Sequence, residues 1–324
     1  MKIVFFGTPD YVVPVVDGLL KHFRTNANPH PIEVVITQSP KPAGREKRLA
    51  YSPVDCWAYE KKIPKFFDPA DLTAEQISAD IGVLASYGQF IPDRVIKLFK
   101  YGILNIHPSL LPLWRGASPV QASIISGESK TGVSIIKLDK LLDHGPIITQ
   151  FKDEVSDTDT AESLRQRLFS RSSEVMPALI EAYTAGKISS KKQDEEKATF
   201  TRQIKKEDGY IAPNAINAAL KGKTVRNKWS INFMKDYTIN YTAVSINLFI
   251  RAMNPWPVAW SKIQIKNPTS NKTSTGRQEL RIKIYKAHLE GTLFVPDEVQ
   301  LEGKSPVSWK QFIQGYPEAK FANA

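Results

Sequence analysis

"GILNIHP", Gly102 to Pro108, decides how the chain is read. Its apolar residues are those of a buried strand, and Pro108 removes a ladder donor and helps end it. The strand period of two sends Asn105 and His107 to one face and Ile106 to the other. Two polar side chains therefore converge at the carboxyl end of an apolar strand. Working outward, "KIVFFG" at 2–7, "IEVVITQ" at 32–38, "IGVLAS" at 81–86 and "TGVSIIKL" at 131–138 repeat the strand signal. Helix-compatible spacing lies between them, after Thr8-Pro9-Asp10 and over about 51–61, 92–100, 117–127 and 158–185. Apolar strands interleaved with helices predict an α/β, Rossmann-like domain with a mainly parallel sheet over residues 1–186. Such a sheet takes its ligands beyond the carboxyl ends of its strands.

From 187 to 214 the chain is polar and charged, "KISSKKQDEEKATFTRQIKKEDGYIAPN", and is predicted to be a linker. Beyond it, short runs of β-branched and aromatic residues are broken by Pro, Gly and Asn. Residues 215–324 are expected as a small β-rich domain, an OB-like β-barrel. Charge divides the same way: residues 1–200 hold 25 basic against 24 acidic side chains, and residues 201–324 hold 19 against 9. Nearly all of the net +11 thus lies in the last third, which suits a polyanionic partner, although solvated surface charge explains it equally well.

Composition excludes several classes. With 42% hydrophobic and 24% charged residues the chain buries a core and is not disordered. Its length favours two domains. Cys56 is the sole cysteine and no His/Cys cluster has zinc-ligand spacing, so a reducing compartment and no metal are expected. The opening "MKIVFFGTPD" has too short an apolar run for a secretory signal, and no run reaches membrane-span length. The expected setting is cytoplasmic, with no membrane partner and a monomeric chain.

A lone strand histidine is more often structural than catalytic, so Asn105 and His107 need a third member. Asp143 in "DKLLDHGPI" follows an apolar strand and precedes a Gly-Pro turn that can aim its carboxylate inward. The bland reading of Asp143 is a turn-stabilising residue. The functional one is a carboxylate that orients the His107 ring while the Asn105 amide and His107 meet a developing oxyanion. His22, His30 and His288 lie in polar surroundings, and His144 has no evident partner.

"NIHPSLLPLWRGASPVQASIISGESKTGVSIIKLDKLLDHGPI" resembles the signature of the folate-dependent formyltransferases, in which Asn-x-His-x-SLLP is followed about thirty residues later by Asp-x-Gly. The likeness extends through "FFGTPDY", "TQSPKPAGREKRLAYSPV", "ASYGQFIP", "IRAMNPWPVAW" and "VQLEGKSPVSWKQFIQGY", and is strongest to those members that formylate methionyl-tRNA. Each piece alone is weak; their order and spacing are specific. The resemblance implies transfer of formyl from 10-formyltetrahydrofolate, without a metal, to the α-amino group of initiator methionyl-tRNA. It makes Asn105, His107 and Asp143 the catalytic trio and Ser109, Leu110, Leu111 and Pro112 the folate-binding segment. Ser86, Tyr87, Gly88, Gln89, Phe90 and Ile91 become the loop lining the pterin pocket. Arg45, Lys47 and Arg48 become tRNA contacts, in a loop whose bland reading is solvated charge.

Arg115 is read as a brace for the SLLP turn and Trp256 as a packing aromatic. Leu141 and His144 depart from the residues usual around the Asp-x-Gly turn, and 221–248 departs from the usual pattern altogether. The alternatives are an N-formyltransferase acting on an amino sugar nucleotide and a non-catalytic RNA-binding protein. No G-x-G-x-x-G follows the first strand, so a dinucleotide cofactor is not supported.

Overall fold

The computed structural model describes residues 1–43, 46–266 and 277–322, in two compact units. Unit one comprises residues 1–119, 130–154 and 165–199, and unit two comprises 120–129, 155–164 and 200–324. The division falls at Thr199/Phe200 rather than across a 187–214 linker. Lys191 pairs its backbone with Ile147, and the polar side chains after it serve as ligands for a loop described below. Polar composition had suggested a solvated tether; here the polarity is spent on protein partners.

In unit one, β1 (Ile3–Gly7), β2 (Ile32–Ile36), β3 (Lys65–Phe66), β4 (Ile81–Ala85), β5 (Ile103–His107), β6 (Lys130–Lys137) and β7 (Ile147–Glu154) form one sheet in the order β7-β6-β5-β4-β1-β2-β3. β1 is parallel to β2 and β4, β3 to β2, and β5 to β4. β6 runs antiparallel to β5 and β7 antiparallel to β6, so in a mainly parallel sheet β6 is the reversed strand and the edge strand β7 runs with the rest. All five residues of β1 and of β5 are buried, as expected of strands covered on both faces. One face of that core joins Val4, Phe6, Val34, Ile36, Tyr87, Val95, Phe99 and Ile103. β7 was missed in the sequence because only alternate residues meet the sheet and its end reads Phe-Lys-Asp-Glu.

Helices α1 (Val13–Phe23), α2 (Pro53–Lys61), α3 (Pro119–Ile125) and α4 (Ala161–Thr184) occupy the predicted helical stretches; only one turn, Asp93–Ile96, forms within 92–100. α2 shows why the boundary is set: the Ser52 side chain accepts from the Asp55 N–H, Pro53 opens the helix, and Lys62 leaves it in the left-handed region.

Unit two contains a five-stranded antiparallel sheet of β10 (Ala259–Lys266), β11 (Arg277–Glu290), β12 (Leu293–Leu301), β13 (Val307–Ser308) and β14 (Lys320–Phe321), ordered β13-β12-β11-β10-β14. A separate hairpin, β8 (Val225–Ser230) with β9 (Thr238–Tyr241), accounts for much of the atypical 221–248 stretch. α5 (Pro213–Ala219), α6 (Ala243–Ala252) and α7 (Trp309–Gly315) complete it. Trp256 is 56% exposed and is not the packing aromatic the sequence suggested. Among the described residues no helix is long and apolar enough to cross a membrane.

Candidate active site

Asn105 and His107 lie on the same face of β5, each at most 5% exposed. β6 runs antiparallel to β5, so its carboxyl end lies beside Leu104 rather than His107. Asp143 follows β6, and strand order alone does not carry it to His107. The loop after β6 closes on itself, with the Lys137 N–H donating to the Pro146 carbonyl at 3.0 Å, and turns back to place Asp143 against both side chains. A Cβ added at Gly145 would lie 1.8 Å from the Lys137 carbonyl oxygen, so the close approach of the loop's two ends requires glycine. That is the physical content of Asp143-His144-Gly145.

Asp143 is almost fully buried, with φ +47°. Asn105 Nδ2 donates to its Oδ1 at 3.1 Å, the Gly116 N–H donates to its Oδ2 at 2.8 Å, and His107 Nδ1 lies 3.6 Å from Oδ2. His107 Nε2 is 3.1 Å from the Trp114 carbonyl, which can only accept, so this nitrogen carries the proton. Nδ1 is then the nitrogen that faces Asp143 Oδ2. The same bond diverts His107 Nε2 from the oxyanion contact expected of it. Asn105, whose amide has a second N–H, is the donor with capacity for a reacting oxygen.

The segment after His107 is tied to the antiparallel edge. Ser134, opposite His107 on β6, donates its Oγ to the Ser109 carbonyl at 2.7 Å and accepts from the Leu111 N–H at 2.9 Å. Gln150 Nε2 donates to the Leu111 carbonyl at 2.9 Å. Ser109 and Leu111 are buried, whereas Leu110 and Pro112 are half-buried and reach the surface. Because β4 and β5 are parallel neighbours, residues 86–91 leave the same sheet edge as 108–112. Within 86–91 the roles diverge. Tyr87 and Ile91 belong to the core, and burial with Asp68 and Asp71 nearby pushes the Tyr87 phenol up to about 12, so it stays protonated and donates to Gln89 Oε1 at 3.1 Å. Gln38 Nε2 donates to the Tyr87 carbonyl at 3.0 Å, Gly88 holds φ +77°, which favours glycine, and Phe90 is 73% exposed. A ligand here would meet Gly88, Gln89 and Phe90 rather than the side chains of Tyr87 and Ile91.

Arg115 is 2% exposed. Its guanidinium donates to Gln193 Oε1 at 3.1 and 2.8 Å and to both Glu195 oxygens at 2.8 and 2.7 Å. Gln193 in turn donates to the Asp143 and Gly145 carbonyls. The guanidinium hydrogen bonds hold the Glu195 carboxyl below its ordinary value. His144 also has partners, Asp139 at 2.6 Å and Glu195 at 3.5 Å, so this departure adds a tie to the turn. Gly116, Gln193, Glu195, Ser134 and Gln150 were not found from sequence. Their signal is a polar residue within a strand, as at Ser134 and Gln150, or within a polar tether, as at Gln193 and Glu195, and such positions are usually solvated.

Lys47 and Arg48 are exposed, Arg48 in a short strand 48–50 that pairs antiparallel with 41–43, and Arg48 pairs with Glu46 at 2.8 Å; Arg45 lies outside the described residues. Among the described residues no group of His, Cys, Asp and Glu is placed to hold a metal.

Residues 1–180 match the family model described as formyl transferase. A methionyl-tRNA formyltransferase of Listeria innocua is 31% identical, aligned over 97% of this chain and 95% of its own. Another from Methylococcus capsulatus is 32% identical over 82% of this chain and 77% of its own. Among solved structures, the methionyl-tRNA formyltransferase from Clostridium thermocellum covers 93% of this chain at TM-score 0.53 and 17% identity, using 98% of that chain. WlaRD, a sugar 3N-formyl transferase, covers 94% at TM-score 0.56 and 20% identity, using 99% of that chain. The structural likenesses speak for the fold alone. The family model over more than half the chain, the relatives above 30% identity, and a buried Asn-His-Asp group where the signature requires it all agree that this chain belongs to the formyl transferase family.

Proposed function

We infer that this chain transfers the formyl group of 10-formyltetrahydrofolate to the α-amino group of methionyl-tRNA, the step that prepares the initiator for translation. The observation that carries the reading is the buried constellation of Asn105, His107 and Asp143 in a chain whose named relatives are methionyl-tRNA formyltransferases along nearly its whole length. The residues present fit a folate donor of this kind. Asn105 offers an amide N–H to a carbonyl oxygen, and Ser109–Pro112 and Gly88–Phe90 emerge from one sheet edge on either side of parallel strands. The donor, when bound, supplies an electrophilic formyl carbon.

The chemistry assigned to the chain is acyl transfer without a covalent enzyme intermediate. An aminoacyl α-amino group titrates at roughly 8 or below, so a useful fraction is neutral near neutrality. As that amine attacks, the Asn105 amide stabilises the oxygen that gains charge. Asp143, oriented by Asn105 and Gly116, and His107, with Nε2 pinned to a carbonyl, pass the amine proton toward the departing nitrogen. Burial of all three side chains excludes water that would compete as acceptor. Arg45, Lys47 and Arg48 and the basic residues beyond 200 supply the phosphate contacts. We place the enzyme in the bacterial cytoplasm, acting as a monomer.

The alternative acceptor, an amino sugar nucleotide, needs neither the +10 carried by residues 201–324 nor the basic residues around Arg48. One assay separates the readings: purified protein with 10-formyltetrahydrofolate is given methionyl-tRNA, uncharged tRNA or an amino sugar nucleotide. Formyl transfer to methionyl-tRNA alone is expected. Transfer only to the sugar selects the alternative, and tRNA binding without transfer to any acceptor refutes an enzymatic role.

A further inference from the structure

We propose that Gln193 is a positioning residue for this reaction: through the backbone of the 143–145 loop it keeps the Asp143 carboxylate on Asn105, His107 and Gly116. The assignment of the reaction rests on the function inferred above; the geometry of the clamp does not. Gln193 Nε2 donates to the Asp143 carbonyl at 2.7 Å and to the Gly145 carbonyl at 2.8 Å. Its Oε1 accepts twice from Arg115, at 3.1 and 2.8 Å. A primary amide has two donor protons and two acceptor lone pairs, and here all four are used within one loop and its brace.

The arrangement grips Asp143 from both ends. Its carbonyl is held by Gln193, and its carboxylate Oδ2 is held by the N–H of Gly116, the neighbour in sequence of the Arg115 that holds Gln193. Arg115 is itself fixed by two hydrogen bonds to Glu195, and its backbone N–H donates to the Thr199 carbonyl at 2.8 Å. Asp143 needs such support because φ +47° is a sparsely populated conformation for a residue other than glycine. If the loop relaxes, the backbone stays folded but the carboxylate turns away from His107, and catalysis is sensitive to displacements of that size. Residues 193–195 therefore belong to the site functionally, although their composition reads as a tether.

Two substitutions separate positioning from simple bracing. Gln193→Met keeps length and bulk and removes every hydrogen bond. Gln193→Glu keeps acceptors for Arg115 but turns an oxygen toward two carbonyls. In protein shown to be folded by its melting transition, both are expected to lower kcat by roughly 10- to 100-fold. KM for either substrate stays within about twofold, since binding groups are untouched. In an Asp143→Asn background, Gln193→Met is expected to cost less than about threefold, because a residue acting through Asp143 has little left to act on. A second readout needs no turnover: the Gly116 amide proton, which is hydrogen-bonded to Oδ2, shifts upfield in Gln193→Met. A parental kcat with an unmoved Gly116 resonance overturns the proposal, as does an equal fold-loss in both backgrounds. Were the parent chain to transfer formyl to no acceptor, the reaction assignment would fall, and the Gly116 resonance would still decide the clamp.

Discussion

Residues 105–145 and residues 221–241 hold polar groups in opposite ways. Around Asp143 the polar groups are committed to protein partners: the Asn105 amide, the Gly116 N–H and His107 face its carboxylate, and Gln193 holds its carbonyl. In the hairpin of unit two, Lys221, Lys223, Arg226 and Lys228 stand exposed on a scaffold fixed by Trp229, which is buried and stacked on Tyr241 at 4.8 Å. The first region depends on distances of tenths of an ångström, the second on the number of charges. Substitutions should therefore act steeply and non-additively in one and gradually in the other.

The largest effect is expected at Asn105. Asn105→Ala removes the amide assigned to the reacting oxygen, and loss of one such donor typically costs about 10²–10³ in kcat. Asn105 also leaves Asp143 Oδ1 without its 3.1 Å partner, so a drop in stability of about 1–3 kcal/mol accompanies it. Steady-state kinetics on methionyl-tRNA, paired with denaturant unfolding, measures both; an enzyme that turns over at the parental rate would end the comparison drawn here.

Next in size is Gly145→Ala. Its Cβ would sit 1.8 Å from the Lys137 oxygen, too close for any flexible side chain to relieve, so the loop must open. Overpacking of this kind costs about 1–3 kcal/mol, and because the same loop carries Asp143, kcat should fall along with the melting temperature. Gly186→Ala is the companion control, since nothing lies near a Cβ there and only its φ of +71° opposes the change. If both variants lose kcat equally, loop closure is not what holds Asp143.

Much of this organisation is legible in the sequence, and the limits have physical causes. The parallel strands are visible because burial on both faces leaves an uninterrupted apolar run, as in Ile3–Gly7 and Ile103–His107. The same-face placement of Asn105 and His107 follows from period two alone. β7 is invisible because an edge strand buries one side and ends in Lys152-Asp153-Glu154, whose Asp153 pairs with Arg167 at 3.0 Å. Asp143 is found, but its route is not, since nothing in "TGVSIIKL" reports that the strand runs antiparallel. Gln193 and Glu195 are missed for a deeper reason. A polar residue exposed to water and one satisfied by protein carbonyls look alike in one dimension, and only the partner, some fifty residues away at Asp143, tells them apart.

A smaller effect, in pH, tests how far the buried network reaches. Hydrogen bonds from Arg115 hold the Glu195 carboxyl below its ordinary 4.5. A carboxyl depressed in the folded state contributes stability above about 4.5, and that contribution disappears as pH falls through the folded value. The Glu195→Gln protein should melt below the parent at neutral pH, and the gap should close as pH falls through the folded value. A gap independent of pH would mean that Glu195 matters as a hydrogen-bond acceptor and not as a charge.

The smallest expected change is in unit two, where one charge among many is removed. Each phosphate contact contributes a slope of roughly −0.7 to −0.9 to the dependence of log affinity on log salt. Lys228→Gln should therefore flatten the slope for tRNA binding by less than about 1, lower affinity by under tenfold at moderate salt, and leave kcat unchanged. Its side chain is exposed on β8, whereas Trp229 beside it is buried, so the hairpin keeps its fold. Combining Lys221→Gln, Lys223→Gln, Arg226→Gln and Lys228→Gln should change the slope by nearly the sum of the single effects, because exposed charges screened by salt are close to independent. That additivity is the opposite of what the Asp143 network predicts for pairs such as Gln193 and Asp143. An unchanged slope in the fourfold variant would remove the hairpin as a phosphate contact and move the partner of the basic residues beyond 200 to another surface. A strongly non-additive series would instead mean that this hairpin, like the 143–145 loop, holds its ligand by fixed geometry.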